Sequence, residues 1–224
     1  MREGLHNDKL KSIYKSVANR YDLEHTLLTA LSDQRGREMV VENTVVEGNN
    51  VLDCGSGTGS TSVLAAQKLG PQGKITLFDL SSDMLEVAKE KLQIEGLSDR
   101  ATFQTGDMTQ LPFESNTFDV VLSTYSLCPL YDPAKGALEL MRVTKPGGKI
   151  GVAHSADPKN PVTRMIGNWI EGIAWRIPSI SMGCRAVNVL PALEQAGGKV
   201  ILDKTIGVPF WPFLVFVILK PMGS

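Results

Sequence analysis

Short apolar runs alternate with amphipathic stretches along the chain from residue 50 onward. The apolar runs have the length of buried strands, and the stretches between them carry apolar residues at helical spacing. Such alternation favours an α/β fold in which a parallel sheet has helices on both faces. The runs that predict strands are residues 50–53, 75–78, 101–105, 118–123, 149–153, 199–206 and 213–220.

Two helices are predicted before the first strand. Leu10, Ile13, Tyr14 and Val17 recur at helical spacing and indicate an amphipathic helix that continues to Tyr21, and a second helix follows at residues 32–46. We expect residues 1–47 to form a helical cap and residues 48–221 to form the main domain. Residues 156–198 are less regular, and we expect them to be an insertion that covers the substrate.

The glycine-rich segment at residues 50–59 is the main candidate for a binding site. It reads Asn-Val-Leu-Asp-Cys-Gly-Ser-Gly-Thr-Gly, which predicts a strand, a tight turn and a helix from about Ser60. Gly55, Gly57 and Gly59 allow backbone conformations closed to other residues and let a ligand lie on backbone amides. Ordinary strand-to-helix turns share this pattern, so a nucleotide site needs further support.

That support comes from Asp79, which ends the next apolar run twenty residues after Gly59. A carboxylate at this strand end can accept hydrogen bonds from both hydroxyls of a ribose. The three glycines follow the pattern Gly-x-Gly-x-Gly, so the turn has no glycine at the third position of the dinucleotide fingerprint Gly-x-Gly-x-x-Gly. This difference favours a nucleoside without a pyrophosphate over NAD. S-adenosylmethionine is a nucleoside of this kind.

Six blocks in order resemble the class I S-adenosylmethionine-dependent methyltransferases, and within them the UbiE-like branch around the ubiquinone/menaquinone C-methyltransferases. The blocks are residues 16–22, 51–59, 79–85, 106–108 with 111–113, 118–121 and 142–148. The resemblance implies a Rossmann-like, seven-stranded sheet that is mostly parallel, with an antiparallel last strand. It also implies S-adenosyl-L-methionine as cofactor and S-adenosyl-L-homocysteine as product.

The same resemblance implies roles for individual residues. Asp79 would bind the ribose, Asp107 would accept a hydrogen bond from the adenine amino group, and Met108 would lie against the ring. Met108 could equally fill the core, and the first helix could wall the pocket or simply dock on the domain. The residues expected at the cofactor are Tyr14, Tyr21, Asp53, Gly55, Gly57, Gly59, Asp79, Leu80, Asp107, Met108 and Ser123.

Two residues are candidates for a catalytic role. Methyl transfer from a sulfonium depends mainly on alignment of donor and acceptor, so a strong base is not required. His154, at the end of the fifth predicted strand, could accept a proton near neutral pH or could be a hydrogen-bonded strand-end histidine. Tyr125 could orient an acceptor or pack in the core.

The acceptor is less defined than the cofactor. Quinone C-methyltransferases of this branch carry an Arg-Asn pair after the fourth strand, where this chain has Leu127-Cys128-Pro129, which argues against quinone ring methylation. Residues 123–154 and Gly183-Cys184 look instead like phospholipid N-methyltransferases and membrane-associated thiol methyltransferases. We expect a small, hydrophobic or lipid-like acceptor, such as a lipid amine, a thiol or a quinone-like molecule.

Three alternatives to this function remain at the level of sequence. The chain could be a catalytically silent S-adenosylmethionine-binding partner subunit. It could be an arsenite-type enzyme that uses Cys128 and Cys184, although arsenic methyltransferases place their cysteines differently. An NAD-dependent enzyme is the third, and it is disfavoured by the missing glycine.

Composition narrows the possible partners and location. The 224 residues fit a single globular domain, and a formal net charge of −1 gives no general attraction to nucleic acid. Cys54, Cys128 and Cys184 are far apart in sequence, which favours neither a disulfide framework nor a metal site and suggests a reducing, cytoplasmic setting. The longest apolar stretch, residues 210–219, is too short to span a bilayer, so only peripheral membrane contact is left open.

Overall fold

The computed structural model describes residues 5–18, 22, 32–174, 176 and 184–222. The predicted contact of Tyr21 with the cofactor lies outside these residues, as does part of the predicted substrate cover. The helices and strands are α1 Asn7–Val17, α2 Ser32–Thr44, β1 Asn50–Cys54, α3 Ser60–Leu69, β2 Lys74–Asp79, α4 Ser82–Ile94, β3 Ala101–Thr105, β4 Phe118–Thr124, α5 Pro133–Val143, β5 Thr144–Ser155, α6 Pro161–Ala174, α7 Leu190–Gln195, β6 Lys199–Val208 and β7 Trp211–Leu219.

The strands form one sheet in the order β3-β2-β1-β4-β5-β7-β6. Strands β1 to β5 pair in parallel, whereas β7 is antiparallel to both of its neighbours, β5 and β6. This confirms the predicted Rossmann-like α/β fold with an antiparallel last strand. Strand order reverses between β1 and β4, and open α/β sheets bind ligands at such a point, beyond the carboxyl ends of the strands.

The sheet is covered on both faces because neighbouring strand residues project to opposite sides. Val51 belongs to the apolar cluster that packs against α2, α3 and α4, whereas Leu52 belongs to the cluster that packs against α5 and α7. Helix α2 contributes Val40 and Val41, both buried, to the first cluster. The predicted layers of helices are therefore present on both sides of the sheet.

Strand β5 differs from its prediction at the amino-terminal end. The predicted strand covers residues 149–153, but β5 already begins at Thr144, which pairs with Phe118. The register with β4 shifts before Lys149 pairs with Val120, and Gly147 adopts a φ of 76°. Residues 145–148 thus form a bulge inside a longer strand. A pattern of apolar positions does not distinguish such a bulge from a loop.

Helix α6 carries its apolar side chains on the outside of the molecule. Trp169 is 70% exposed and Met165 is 68% exposed. On its other side, Gly167 is buried and packs close to the backbone of Phe210. The exposed apolar residues recur at helical spacing and form one stripe, which we call the α6 stripe: Val162, Met165, Ile166, Trp169 and Ile173. Within the described part of the chain, no helix combines the length and the apolar character that crossing a membrane requires.

Candidate functional site

The turn after β1 has a backbone conformation that glycine adopts without strain and that other residues disfavour. Gly55 and Gly57 have φ angles of 73° and 52°, in the region that side chains disfavour. The amides of Gly55 and Ser56 donate to the carbonyl of Phe78 at 2.7 and 3.1 Å, which holds the turn against the end of β2. A Cβ on Gly55 would overlap the Ser126 side chain, whereas the space beside Gly57 is open. A ligand can therefore approach the turn closely at Gly57.

The Asp79 carboxylate contacts this turn from the end of β2. Its Oδ2 accepts a hydrogen bond from the amide of Gly57 at 2.8 Å, and its Oδ1 accepts one from the amide of Ser81 at 2.9 Å. Burial raises the pKa of Asp79, and the hydrogen bonds from these backbone amides partly oppose that shift. Each oxygen retains capacity for a further hydrogen bond, so the carboxylate can still accept from a ligand.

A second carboxylate, Asp107, lies at the end of β3. Its Oδ1 accepts from the amide and the hydroxyl of Thr109, both at 2.8 Å, and its Oδ2 accepts from the side-chain amide of Asn7 at 2.8 Å. Burial would raise its pKa, but the hydrogen bonds from Thr109 and Asn7 hold the pKa below its ordinary value. Asp107 is therefore ionised at neutral pH and fixed in position by both of these partners.

Both carboxylates line one cleft of about 430 Å³, part of it open to solvent. Helix α1 forms one wall of the cleft, and the loop after β4 forms another. Of the residues predicted at the cofactor, the cleft brings together Tyr14, Gly55, Asp79, Leu80, Asp107 and Met108. Met108 is also 6% exposed and belongs to the core, so its position is compatible with both of the roles considered for it.

Sequence reasoning missed several lining residues, namely Asn7, Leu10, Phe78, Gly106, Ser126, Pro129 and Leu130. Ser126 follows β4, and nothing in the local sequence distinguished it from Ser123, which was predicted at the cofactor. The Ser126 hydroxyl donates to the carbonyl of Cys54 at 3.0 Å and lies 2.6 Å from the Ser123 hydroxyl. Ser123 is fully buried, so it supports Ser126 from behind the cleft.

Other predicted residues support the turn without lining the cleft. Asp53 is fully buried, and its Oδ2 accepts from the hydroxyl of Ser62 at 2.6 Å. Its Oδ1 has no hydrogen-bond partner among the described residues. Burial raises the pKa of Asp53 to about 6, against the lowering effects of Ser62 and Arg37. Gly59 begins α3 with a φ of 78° and packs so close to Ala88 that a Cβ there would lie 2.9 Å from it.

The amino-terminal segment is tied to the turn by Asp22. Its Oδ1 accepts from the hydroxyls of Thr58 and Ser60 at 2.6 and 3.0 Å, and its Oδ2 forms an ion pair with Lys91 at 2.6 Å. Thr58 and Ser60 flank Gly59 in the glycine turn. Asp22 is therefore held beside the glycine turn by the side chains of Thr58, Ser60 and Lys91.

Tyr125 lies on the α2 side of the sheet, away from the residues that line the cleft. Its hydroxyl donates to the carbonyl of Ser32 or Asp33, each at 3.3 Å, and its ring packs edge-on against Phe213. Its φ is 59°, and burial raises the pKa of its hydroxyl well above the usual range. These contacts favour the packing interpretation of Tyr125 over a direct contact with an acceptor.

A buried arginine network lies beneath Tyr125. Arg37 of α2 donates to the hydroxyls of Thr61 and Thr124 at 2.9 and 3.0 Å, and its Nε lies 3.9 Å from a carboxylate oxygen of Asp33. The guanidinium also lies 5.2 Å from the centre of the Tyr125 ring. The network therefore joins α2 to α3 and to the end of β4.

His154 is fully buried at the end of β5. Its Nδ1 lies 2.9 Å from the carbonyl of Ser155, and its ring packs edge-on against Phe216. Burial lowers the pKa of His154, so the imidazole is neutral near pH 7. If Nδ1 carries the proton for Ser155, Nε2 holds the lone pair, and this nitrogen has no hydrogen-bond partner among the described residues.

The residues present fit a cationic nucleoside. Asp79 and Asp107 offer hydrogen-bond acceptors to donors on a sugar and a base, and Leu80, Met108 and Leu130 give the cleft apolar walls. The unsatisfied oxygen of Asp53 behind the turn adds negative potential at the same end of the sheet. A nucleoside with a positive charge is favoured over a phosphorylated nucleotide by these carboxylates.

The amino-acid sequence of the chain is similar to those of known methyltransferases. The chain is similar to the ubiquinone/menaquinone biosynthesis C-methyltransferase UbiE of Francisella tularensis subsp. novicida (strain U112), with 34% identity over 155 residues, 69% of this chain and 62% of the relative. The corresponding protein of Ectopseudomonas mendocina (strain ymp) is 32% identical over 156 residues, 69% of this chain and 61% of the relative. The chain thus matches less than two thirds of the length of these curated relatives.

Solved structures share the fold at low sequence identity. The [4+2]-cyclase SpnF superposes with a TM-score of 0.70 at 20% identity, covering 94% of this chain and 97% of that protein. Geranyl diphosphate methyltransferase in complex with GPP and sinefungin superposes with a TM-score of 0.69 at 16% identity, covering 84% and 78%. The model of the ubiE/COQ5 methyltransferase family matches residues 2–173, more than half of the chain. The chain therefore belongs to the ubiE/COQ5 methyltransferase family.

Proposed function

We propose that the chain is an S-adenosylmethionine-dependent methyltransferase that acts on a small, apolar acceptor. The observation that carries this proposal is the convergence of Asp79, Asp107 and the Gly55 turn on one cleft. Asp79 would accept hydrogen bonds from the ribose hydroxyls, and Asp107 would accept one from the adenine amino group. Met108 and Leu80 would contact the base. The bound cofactor supplies a methyl group on a sulfonium, which is displaced by the nucleophilic atom of the acceptor.

The protein's own contribution is mainly alignment and exclusion of water. Helix α1 closes one side of the cleft through Asn7, Leu10 and Tyr14, which supports a role in shielding the reacting atoms. Alignment of two reactants can supply roughly 7–11 kcal/mol of the barrier, so a site without a strong base is still an effective catalyst. The proposal therefore does not depend on His154.

His154 remains a candidate base for acceptors that must lose a proton. Its lowered pKa keeps the imidazole neutral and able to accept a proton at pH 7. His154→Gln should lower turnover of such an acceptor while leaving cofactor affinity unchanged, as measured by calorimetry. Equal turnover of the variant and the wild type with that acceptor would show that His154 is a packing residue.

The acceptor is proposed to be lipid-like because the insertion exposes the α6 stripe. A helix with one outward apolar stripe and a tryptophan is typical of segments that lie at a membrane surface. Lys159, Arg164 and Arg176 are exposed in the segment that contains α6, and its acids are Asp157 and Glu171, which leaves an excess of one positive charge that anionic lipid head groups would match. We propose an anionic lipid surface as the occupant of the α6 stripe.

The chain departs from its quinone-specific relatives after β4, where it has Leu127-Cys128-Pro129. A quinone-ring acceptor is therefore a weaker proposal than a lipid amine or a lipid thiol. The fold alone would not distinguish these acceptors, since one of the solved structures that share it is a [4+2]-cyclase.

The experiment that tests the proposal has two stages. Isothermal titration should detect binding of S-adenosylmethionine and S-adenosylhomocysteine, and absence of both would refute it. Radiolabelled methyl transfer into an extract of membrane lipids and into a panel of thiols and amines should then give a labelled product. Binding without transfer to any acceptor would support a silent partner subunit instead.

A further inference from the structure

Two cysteines that are far apart in sequence meet beside the loop after β4. The Sγ atoms of Cys128 and Cys184 are 2.7 Å apart, although 56 positions separate the two residues. The Cys128 thiol also donates to the carbonyl of Tyr125 at 3.3 Å. Spacing alone had predicted no disulfide framework, because contact between these residues depends on the insertion folding back onto β4.

The surroundings of the two sulfurs differ. Cys128 is fully buried, whereas Cys184 is partly exposed. Cys184 lines a cavity of about 400 Å³, together with Asp157, Glu171, Arg185 and Trp211. Cys128 is not among the residues that line this cavity, so a small molecule that enters it would meet Cys184 first.

We propose that Cys128 and Cys184 form a redox-active dithiol that closes to a disulfide in the presence of a low-molecular-weight disulfide. A disulfide needs an Sγ–Sγ distance of about 2.05 Å, so the observed pair must shorten its separation by roughly 0.7 Å. A metal site is a poorer interpretation, because the described residues contain no cluster of three or more His, Cys, Asp or Glu side chains that could hold an ion.

Cys184 lines the cavity and Cys128 does not, so Cys184 reacts first. The Cys184 thiol loses its proton and attacks one sulfur of glutathione disulfide, which forms a mixed disulfide and releases one glutathione. The Cys128 thiol then loses its proton and attacks the Cys184 sulfur, which releases the second glutathione. Two protein thiols are oxidised and one disulfide is reduced to two thiols, so electrons and protons balance.

The resting state of the pair is the thiol form. The hydrogen bond with Cys128, burial and the neighbouring sulfur raise the pKa of Cys184, and the nearby Arg185 charge opposes this only in part. The reaction is therefore slow and requires excess oxidant. The reaction is also selective for this pair, because Cys54 is fully buried in the core and does not line the cavity beside Cys184.

The bond would join two parts of the molecule that border the site. Cys128 lies in the loop that contributes Ser126, Pro129 and Leu130 to the cleft, and Cys184 lies in the insertion before α7. Closing a loop of this length restricts the unfolded chain, so the oxidised protein should melt roughly 5–15 °C higher than the reduced protein.

Peptide mapping of the folded wild-type chain tests the proposal. The protein is incubated with excess glutathione disulfide, alkylated under denaturing conditions and digested with trypsin without reduction. Cys128 and Cys184 fall on fragments 101–135 and 177–185, and Cys54 falls on fragment 38–68. We expect fragments 101–135 and 177–185 to be cross-linked and fragment 38–68 to be alkylated. A glutathione adduct on Cys184 without a cross-link, a cross-link to Cys54, or three alkylated thiols would each refute it.

Variants separate the two steps. Cys128→Ser should retain the glutathione adduct on Cys184 and lose the rise in melting temperature, whereas Cys184→Ser should lose both. If either variant fails to fold, the wild-type map and the melting temperatures of its oxidised and reduced forms still decide the question. Equal melting temperatures for these two wild-type forms would contradict the proposed constraint.

Discussion

The side-chain amide of Asn7 donates to the Asp107 carboxylate across 2.8 Å, which fastens the first helix to the acid at the end of β3. A hydrogen bond to a charged group contributes roughly 1.5–3 kcal/mol, part of it returned when water replaces the partner. The helix that walls the cleft is thus held by a contact that a bound base would adjoin. We therefore expect release of the proposed cofactor to depend on Asn7.

Asn7→Ala should speed cofactor dissociation by roughly 3- to 10-fold, because α1 opens more easily once this hydrogen bond is lost. Stopped-flow displacement of S-adenosylhomocysteine by excess S-adenosylmethionine measures the rate. Lys11→Ala is the matched control, since Lys11 is exposed on the same helix and does not line the cleft. Identical dissociation rates for the two variants would mean that Asn7 does not hold the helix closed.

Asp79→Asn should weaken S-adenosylmethionine binding by roughly 10- to 100-fold. The amide side chain can still accept one hydrogen bond from Gly57, but it loses the negative charge and the second pair of acceptor sites. Calorimetry gives the dissociation constant directly. Asp83→Asn removes an exposed acid on α4 and should leave the constant unchanged. Equal loss of affinity in both variants would point to a general charge effect rather than a contact at the ribose.

Asp53→Asn should stabilise the protein more at pH 7.5 than at pH 5. Burial raises the native pKa of Asp53 from 3.8 to about 6, so the native state binds more protons than the unfolded state between these values. Stability from this group is therefore lost as pH rises through that window, up to roughly 3 kcal/mol, and the amide abolishes the loss. Urea unfolding at both pH values measures the difference.

Asp119→Asn is the control of opposite sign. The pKa of Asp119 is lowered because hydrogen bonds from Lys145 and the Asn50 amide outweigh its burial, so its charge stabilises the fold at neutral pH. This variant should lose stability at pH 7.5. An Asp53→Asn variant with the same gain at both pH values would show that Asp53 does not titrate near 6.

Trp169→Glu should weaken binding to vesicles of anionic phospholipid, because it places a charge in the α6 stripe and removes its largest apolar side chain. Co-sedimentation with phosphatidylglycerol vesicles should fall several-fold, and phosphatidylcholine vesicles should bind the wild type weakly. Asn168→Glu adds the same charge at the adjacent exposed position on the polar side of α6 and should bind nearly normally. Wild-type protein that does not bind vesicles but dimerises through Trp169 would refute the proposal that the α6 stripe binds a lipid surface.

The parallel α/β sheet and several residues of the cleft could be predicted from local patterns because these residues are close in sequence to the features that reveal them, whereas the antiparallel last strand was implied by the family resemblance. Gly55, Gly57 and Asp79 lie at strand ends, where the turn chemistry and the run of apolar residues agree. Asn7 could not be found this way, since its contact with Asp107 spans 100 positions and depends on how α1 docks. The meeting of Cys128 and Cys184 is hidden for the same reason.

Patterns also failed to rank neighbouring polar residues. Ser123 and Ser126 are three positions apart after the same strand, and only the backbone path places Ser126 in the cleft and Ser123 behind it. Tyr125 lies between them and points to the opposite face because its φ is positive. A left-handed residue of this kind has no signal in the composition of the segment.

The buried Arg37 network determines how the chain can be dissected. A fragment beginning after residue 44 would lose the guanidinium that bonds Thr61 and Thr124, together with Val40 and Val41 from the core. Both hydroxyls would then share only each other, and the sheet would expose an apolar groove in place of α2. We therefore expect the smallest autonomous folding unit to start upstream of Asp33, which makes this helix an integral part of the sheet's core rather than a removable accessory.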